Sequence, residues 1–230
     1  MKQQIKNRYT SEVIFECDVP DDVNASGMAM RHALEKAIQA KANLSYADLR
    51  FADLRSANLR SADLSYANLR FANLRFANMR YADLSSANLR SANLRFANMR
   101  DADLSSANLR SADLSYADLR YADLSYADLR YANMRYANMR SANLRENNKL
   151  IGLRPFFSIG PIGSRADYLQ SFITEKGVLI NAGCFKEKTL DEFRDKLAKE
   201  HDQNDHAKEY EIAILMIEAH AAIWTPKETK

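Results

Sequence analysis

Two histidines, His201 and His206, come nearest to a site of catalysis or metal binding. Asp202 and Asp205 lie between them, and imidazole and carboxylate groups together can hold a metal ion or exchange protons. On one helix, however, five residues turn through about 500°, which directs the two rings about 140° apart. A loop through residues 203–204 could still bring them together. The sequence favours a solvated loop that links two helices.

Two further residue groups could carry chemistry, and each has a simpler structural interpretation. Ser164, Arg165 and Asp167 follow a glycine-rich stretch, but no helix with the lysine of a nucleotide-binding loop follows them, so a turn is expected. Cys184 has no neighbouring base in the sequence, although His220 could approach it in space, and a buried structural thiol is the default expectation. We therefore predict no catalytic residue, no cofactor, no metal site and no enzymatic activity.

The elements that would position any site are dominated by a repeat of five residues. Every fifth residue from Ala42 to Ala142 is alanine, and leucine or methionine follows each alanine after two places. In a helix, five residues advance a side chain by about 140°, so no apolar face would form. In a flat strand, an odd spacing sends successive leucines to opposite faces. The pattern predicts a chain that bends by about a right angle in each repeat and directs alanine and leucine into one interior.

A second period, of twenty residues, predicts four repeats in each turn of a coil. At this interval serine replaces the usual arginine at the fourth repeat position, and methionine replaces leucine, at Ser45, Ser65, Ser85, Ser105, Ser125, Met79, Met99 and Met139. Ser115 and Met134 break the interval, so duplication of a twenty-residue unit could also have produced it. The twenty-one repeats correspond to about five coils.

These repeats, Ala-(Asn/Asp)-(Leu/Met)-(Arg/Ser)-x, resemble those of the pentapeptide-repeat family. The resemblance implies a mainly β fold, a right-handed quadrilateral β-helix, with alanine and leucine inside and the other three positions facing solvent. Many family members carry glycine at the fifth position, whereas the repeats here contain no glycine and place mostly Tyr, Phe or Ser there. The restricted alphabet fits either recent duplication or deliberate engineering of consensus-like repeats.

The sequence on either side of the repeats predicts two further units, so that the chain divides into residues 1–41, 42–153 and 154–230. In the first unit we expect a strand over Ser11–Val19 and, after an N-cap at Ser26, a helix over about Met28–Lys41. This strand–helix pair would cap the first coil, whose apolar interior and unpaired backbone groups would otherwise be exposed.

The C-terminal residues are expected to form a small α+β unit. The predicted elements are a hairpin of Tyr168–Thr174 and Val178–Phe185, a helix to about Glu200 that begins with a capping box of Thr189 and Glu192, and a helix of about Asp205–Trp224. Residues 160–224 also resemble a module that accompanies pentapeptide repeats in bacteriophage and prophage proteins.

The last helix has more apolar residues than one buried face requires. Ile212, Leu215 and Met216 lie outside its main apolar stripe. A helix that is apolar on more than one side is either packed within its own unit or covered by another chain. The family resemblance implies dimers through the C-terminal region, so these three residues are the expected oligomer contact of a homodimer.

Composition and charge fit a protein that does not cross a membrane. The 230 residues carry a formal net charge of +3, no stretch is apolar enough to span a bilayer, and the polar start lacks the apolar centre of a secretory signal. We therefore expect a cytoplasmic location. The two cysteines, Cys17 and Cys184, lie far apart without metal-ligand spacing and are expected to be free thiols.

With four repeats in each coil, outward-facing residues twenty apart stack in columns. The candidate interaction surface combines an arginine column with a column of aromatic residues, namely Arg50, Arg70, Arg90, Arg110 and Arg130 with Phe76, Phe96, Tyr116 and Tyr136. Exposed aromatic residues beside arginine are common at protein interfaces and also stack on nucleotide bases. The alternative is that they only shield the backbone and pack on one another and on arginine stems.

These observations favour a non-enzymatic scaffold that binds an unidentified protein partner. Some pentapeptide-repeat proteins imitate duplex DNA and act on DNA gyrase, but mimicry requires an acidic shaft, and three of the four faces here carry arginine columns. Direct nucleic-acid binding could use those arginines and aromatic rings. The small net charge and the acidic fourth face, with Asp63, Asp83, Asp103 and Asp123, count against it.

Overall fold

The computed structural model describes residues 1–144, 148–163, 167–182, 185–201 and 204–226, with the side chains of all these residues except 167 and 185–187. The chain forms two compact units. One contains Met1–Asn138 and Ala142–Glu146, and the other contains Met139–Ser141 and Asn147–Lys230.

The repeats form a coil in which each residue lies beside the residue twenty positions further on. Parallel bridges join the Asn or Asp of each repeat to the equivalent residue four repeats later, as in Asp48 with Asn68, Asp63 with Asp83 and Asp103 with Asp123. One turn therefore takes four repeats, which is the period that the serine positions predict. We call this coil the shaft.

In the middle of the shaft, three backbone N–H groups of each repeat bond to neighbouring coils. In the repeat at residues 87–91 these bonds run from Asn88 to the Ala67 carbonyl (2.9 Å), from Leu89 to the Asn108 carbonyl (2.8 Å) and from Ser91 to the Arg110 carbonyl (3.0 Å). The bonds hold successive coils together as a parallel ladder holds neighbouring strands.

The remaining two N–H groups are satisfied within the turn that joins successive repeats. The Ala87 N–H donates to the Leu84 carbonyl at 3.0 Å, which closes a β-turn. The Arg90 N–H donates to Oδ1 of the Asn88 side chain at 3.2 Å. This second bond explains why the repeat requires Asn or Asp at its second position, since both offer an oxygen at the same distance along the side chain.

The fifth residue of each repeat adopts a left-handed backbone conformation. Its φ lies between 56° and 62° in every repeat from Tyr46 to Ser141. A positive φ at the third residue of a turn is typical of type II turns and favours glycine. A non-glycine residue costs about 1–2 kcal/mol there, so each corner of this glycine-free shaft carries strain that other contacts must offset.

Alanine and leucine fill the interior, as the period predicts. Leu89, Leu109 and Ala107 have no exposed surface, and removing such side chains from water is the main source of stability for the coil. Ala127, Ala132 and Ala137 are only half-buried.

The N-terminal residues form two strands and two helices. Strands β1 (Lys2–Lys6) and β2 (Val13–Asp18) pair antiparallel, and helices α1 (Asp21–Ala25) and α2 (Ala29–Gln39) follow. These elements supply partners for the first coil, because the Lys6 carbonyl accepts from Asp48 N–H at 2.7 Å and the Glu35 carboxylate accepts from Asn58 N–H at 2.8 Å. Such contacts support the cap that we propose for this end.

One prediction for this segment was wrong, and two elements were not predicted. Strand β1 was not predicted, because its side chains are mostly polar and only Ile5 is buried. Helix α1 was not predicted either. Ser26 does not cap the following helix: it is the C-cap of α1, and the N-cap of α2 is Met28, which makes no side-chain capping bond.

The C-terminal unit is a four-stranded antiparallel sheet with two helices. The elements are β3 (Phe156–Ile162), β4 (Asp167–Thr174), β5 (Gly177–Ala182), β6 (Phe185–Thr189), α3 (Leu190–Glu200) and α4 (Asp205–Trp224), with the strands in sequence order. The core joins the sheet to both helices through Leu169, Ile180, Phe193, Ala213, Ile214 and Ile217.

The prediction of a single hairpin for this sheet was incomplete. Strand β3, which contains Gly160 and Pro161, was not predicted, and Phe185 of β6 was assigned to the preceding strand. The capping box of Thr189 and Glu192 is confirmed by both of its bonds, and helix α4 has the predicted bounds.

A charged residue in the shaft interior should unfold it. We expect Leu89→Asp to reduce the free energy of unfolding by more than about 4 kcal/mol, because it places an unpaired carboxylate in an apolar stack. The matched control, Arg90→Glu, changes the neighbouring exposed side chain and should cost less than about 0.5 kcal/mol. Denaturant unfolding followed by circular dichroism measures both, and equal losses would contradict the inside–outside assignment.

Candidate interaction surfaces of the shaft

The shaft has four outward faces, each built from every fourth repeat. We name them the Arg50 face (residues 47–51 and every twentieth residue onward), the aromatic face (52–56 onward), the Arg60 face (57–61 onward) and the acidic face (62–66 onward). Because successive repeats turn the chain by about a right angle, the aromatic and acidic faces lie on opposite sides of the shaft.

The aromatic face carries a continuous ladder of four rings. The ring centroids of Phe76 and Phe96 are 5.0 Å apart, those of Phe96 and Tyr116 are 4.9 Å apart, and those of Tyr116 and Tyr136 are 4.9 Å apart. The rings remain between 36% and 51% exposed. Phe76, Phe96 and Tyr116 stack with their flat sides against each other, and Tyr136 is tilted by 31° to Tyr116, so the stacked rings present mainly their edges to solvent.

Arginine side chains accompany the ladder. The guanidinium carbon of Arg75 lies 4.6 Å from the Phe76 ring centroid, and that of Arg135 lies 4.8 Å from the Tyr136 centroid. Buried Ser115 interrupts this arginine column. The packing of rings on one another and on arginine is therefore observed, and the rings nevertheless keep a third to a half of their surface exposed.

The five arginines of the Arg50 face are not equivalent. Arg50 and Arg130 pair with the aspartates of their own repeats, Asp48 and Asp128, at 2.7 Å and 2.6 Å. The guanidinium of Arg70 lies 4.5 Å from the Phe71 ring centroid, and that of Arg110 lies 5.0 Å from the Tyr131 ring centroid. Arg90 is exposed. The uniform cationic column predicted from the sequence is thus compensated at both ends.

On the Arg60 face, three of the five arginines lie beside an aspartate. Asp101 lies 3.3 Å from Arg80 and 3.4 Å from Arg100. Asp118 pairs with Arg120 at 2.6 Å. An incoming anionic partner would have to compete with these carboxylates.

The acidic face carries negative charge, whereas the aromatic face carries a surplus of positive charge. Asp63, Asp83, Asp103 and Asp123 stack through successive bridges, and each accepts the backbone N–H of the serine two residues later, at distances between 2.8 Å and 3.1 Å. In the described part of the chain, none of the four forms an ion pair with arginine or lysine.

Of the histidine cluster singled out for catalysis, the structure describes His201, His206 and Asp205, and Asp202 lies outside the described residues. The ring centroids of His201 and His206 lie 6.2 Å apart, and His206 faces Glu209 at 3.5 Å. Within the described ranges no group of three or more His, Cys, Asp or Glu side chains could hold a metal ion. A cavity of about 580 Å³ beside His201 has mainly apolar walls, including Leu197, Ile214 and Leu215.

Of the cysteine and glycine-loop candidates, the structure describes the side chains of His220 and Cys17. His220 donates from Nε2 to the Arg154 carbonyl at 2.8 Å and stacks on Phe157. Ser164, Arg165 and Cys184, and the side chain of Asp167, lie outside the described residues. Cys17 is a free, half-buried cysteine, and burial raises the pKa of its thiol.

The predicted oligomer contact on α4 is exposed in the single chain. The exposed fractions of Ile212, Leu215 and Met216 are 60%, 65% and 45%. They lie on the side of α4 away from buried Ala213 and Ile217. Ile223 was not among the predicted contact residues, but it is 70% exposed and extends this apolar patch.

Comparison with known families matches the repeats directly. The pentapeptide repeats family matches in eight copies, over residues 42–80, 67–105 and 107–145. The chain belongs to the pentapeptide-repeat family. Members of this family fold as right-handed β-helices, which agrees with the twenty-residue bridges of the shaft. No curated protein sequence matches the chain.

Several solved pentapeptide-repeat structures are similar to the chain. A pentapeptide repeat protein, Rfr23, from the cyanobacterium Cyanothece is 35% identical, with 37% of this chain and 58% of that chain covered and a TM-score of 0.37. HetL from Nostoc, which is involved in heterocyst differentiation regulation, is 32% identical, with coverage of 46% and 59% and a TM-score of 0.32. The chain spans less than two thirds of the length of either protein.

Another pentapeptide repeat protein of Nostoc is 35% identical, with 54% of this chain and 80% of that chain covered and a TM-score of 0.20. Because these TM-scores are low, the family assignment rests on the sequences of the repeats. In the described residues, no helix is both long and apolar enough to cross a bilayer.

The shaft of this pentapeptide-repeat protein should lose stability in acid. The Arg50 and Arg55 guanidinium groups lower the pKa values of Asp48 and Asp53 by hydrogen bonding. A folded-state pKa below the unfolded value of about 3.9 stabilises the fold above that pH, and this stabilisation is lost as the pH falls through the folded-state pKa. Asn at both positions would keep the turn bond, as Asn68 does.

We therefore expect Asp48→Asn/Asp53→Asn to lower the melting temperature at pH 7. Between about pH 4 and pH 2, the melting temperature of this variant should then fall by less than that of the parent protein. Thermal melts across this pH range measure the difference. Parallel melting curves for the two proteins would contradict the contribution of these ion pairs.

Proposed function

We propose that this protein is a non-enzymatic scaffold that binds another protein through the aromatic face of its shaft. The observation that carries the proposal is the exposed ladder from Phe76 to Tyr136 with arginines beside it. Aromatic and arginine side chains are enriched among the residues that dominate interface energy. The partner surface that fits this face is acidic.

The backbone under the ladder supports this function. Every N–H group of the ladder repeat at residues 92–96 has an acceptor, so the backbone of this face is fixed before binding. A preorganised surface loses little conformational freedom on association, which leaves more of the contact energy as affinity.

The charge pattern argues against the two nucleic-acid alternatives. A DNA mimic acting on gyrase needs an acidic shaft, and only the acidic face has this charge. Direct DNA binding needs arginines free to neutralise phosphates, whereas Arg50, Arg80 and Arg120 are paired with aspartates in the chain.

Helix α4 supports a separate proposal, a homodimer. The exposed stripe of Ile212, Leu215, Ala219, Ala222 and Ile223 has the three- and four-residue spacing of a helix–helix seam. A phage or prophage origin, implied by the resemblance of residues 160–224, stays a prediction.

Loss of two ladder rings should abolish partner capture. We expect the full chain with Phe96→Ser/Tyr116→Ser to recover its protein partner from a lysate of the source cells at least about tenfold less than the parent chain. Serine already occupies the same turn position at Ser91 and Ser111 with the same φ, so the fold should persist.

The matched control is Phe51→Ser/Phe71→Ser on the Arg50 face, which should recover the partner normally. Equal recovery by all three chains would contradict the proposal. Recovery that disappears after nuclease treatment would instead support nucleic-acid binding.

Polar substitutions on α4 should separate a dimer into monomers. We expect Ile212→Gln/Leu215→Gln to halve the mass measured by light scattering after size-exclusion chromatography, in high salt, because the substitution removes apolar contact area without adding charge. A parent chain that is monomeric at micromolar concentration would contradict the dimer.

A further inference from the structure

We propose that copies of this chain associate side by side, with the acidic face of one shaft against the aromatic face of the next. The inference rests on the proposed function in one respect, since both use the aromatic face. It names a partner of defined chemistry, a second copy of this chain.

Charge complementarity favours this pairing. The aromatic face has four arginines against two aspartates, and residues 62–66, 82–86, 102–106 and 122–126 of the acidic face have four aspartates and no basic residue. The four aspartates stack at successive coils and repel one another. An arginine column placed opposite would replace this repulsion by attraction. The edges of the aromatic rings, which carry partial positive charge, face the same way.

Spacing also favours a second shaft over other structures. The ladder advances by 4.9–5.0 Å for each coil, and the aspartates advance by one coil in the same backbone ladder. Side chains on one face of an isolated strand repeat at about 6.6–6.8 Å. Side chains on neighbouring hydrogen-bonded strands, such as those of successive coils, repeat at about 4.8 Å. The side chains of two shafts can therefore stay in register over several coils.

The position of the two faces sets the form of the assembly. They lie on opposite sides of the shaft, so a chain that uses its acidic face in one contact keeps its aromatic face free for another. Such an interface is heterologous and does not close into a dimer. The assembly should therefore grow with protein concentration.

The aromatic face differs from the other two cationic faces in its rings and not in its charge, because Asp53 and Asp113 also lie beside Arg55 and Arg95. Asp101 and Asp118 compensate arginines on the Arg60 face, and Asp48 and Asp128 compensate the ends of the Arg50 face. Neither face has four rings in consecutive coils.

The repeat itself supplies substitutions that leave the fold intact. Arg75→Ser/Arg95→Ser weakens the aromatic face, and Ser115 shows that serine is accepted in this column. Asp83→Asn/Asp103→Asn weakens the acidic face, and asparagine makes the same turn bond at Asn88. The control, Arg70→Ser/Arg90→Ser, removes the same charge from the Arg50 face.

The experiment is sedimentation velocity on the full chain, with Ile212→Gln/Leu215→Gln in every variant so that α4 contributes no association. In about 50 mM salt the parent should form dimers and larger species. In about 500 mM salt its dissociation constant should rise at least about tenfold, because exposed charges are then screened. Each face variant should remain monomeric in low salt, and the control should associate like the parent.

The decisive experiment mixes the two face variants, Arg75→Ser/Arg95→Ser and Asp83→Asn/Asp103→Asn. Each retains the one face that the other lacks, so the mixture should form a 1:1 complex and nothing larger. A parent that is monomeric in low salt, a control that loses association equally, or a mixture without a complex would overturn the proposal. The Phe96→Ser/Tyr116→Ser capture experiment, done in high salt, tests the protein-scaffold function separately.

Discussion

The structure depends on a complete set of acceptors for the backbone N–H groups of each repeat. Three bonds reach neighbouring coils, one closes the turn, and one is made by the Asn or Asp side chain of the repeat itself, as in residues 87–91. An unpaired N–H in this setting would cost as much as a lost hydrogen bond. The second repeat position is therefore as constrained as the buried leucine, although its side chain lies at the surface.

The sequence was sufficient to predict the coil, because only a bend in every repeat directs both alanine and leucine inward. It did not reveal β1, because most side chains of this strand are polar and its Lys6 carbonyl is held by the Asp48 N–H of the first coil. Strand β3 was missed for a related reason: Gly160 and Pro161 disfavour a strand locally, but pairing with β4 holds the segment in the sheet.

The charge of the candidate surface was predictable by column but not by residue. Arginine columns follow from the period, whereas the pairing of Arg50 with Asp48 depends on whether the same repeat has aspartate or asparagine two places earlier. This signal is present in the sequence and distinguishes Arg50 and Arg130 from Arg90. The contact of Asp101 with two arginines could not be predicted in the same way, because it depends on side-chain conformations across adjacent coils.

The placement of the acidic face opposite the aromatic face has a consequence beyond short-range contact. Positive charge on one side of the shaft and negative charge on the other form an electric dipole across its width. In the field of a charged surface, this dipole experiences a torque that turns the shaft before the two surfaces touch, within roughly a Debye length of about 8–10 Å at physiological salt. The shaft would thus approach an anionic body with its rings leading and a cationic one with its aspartates leading.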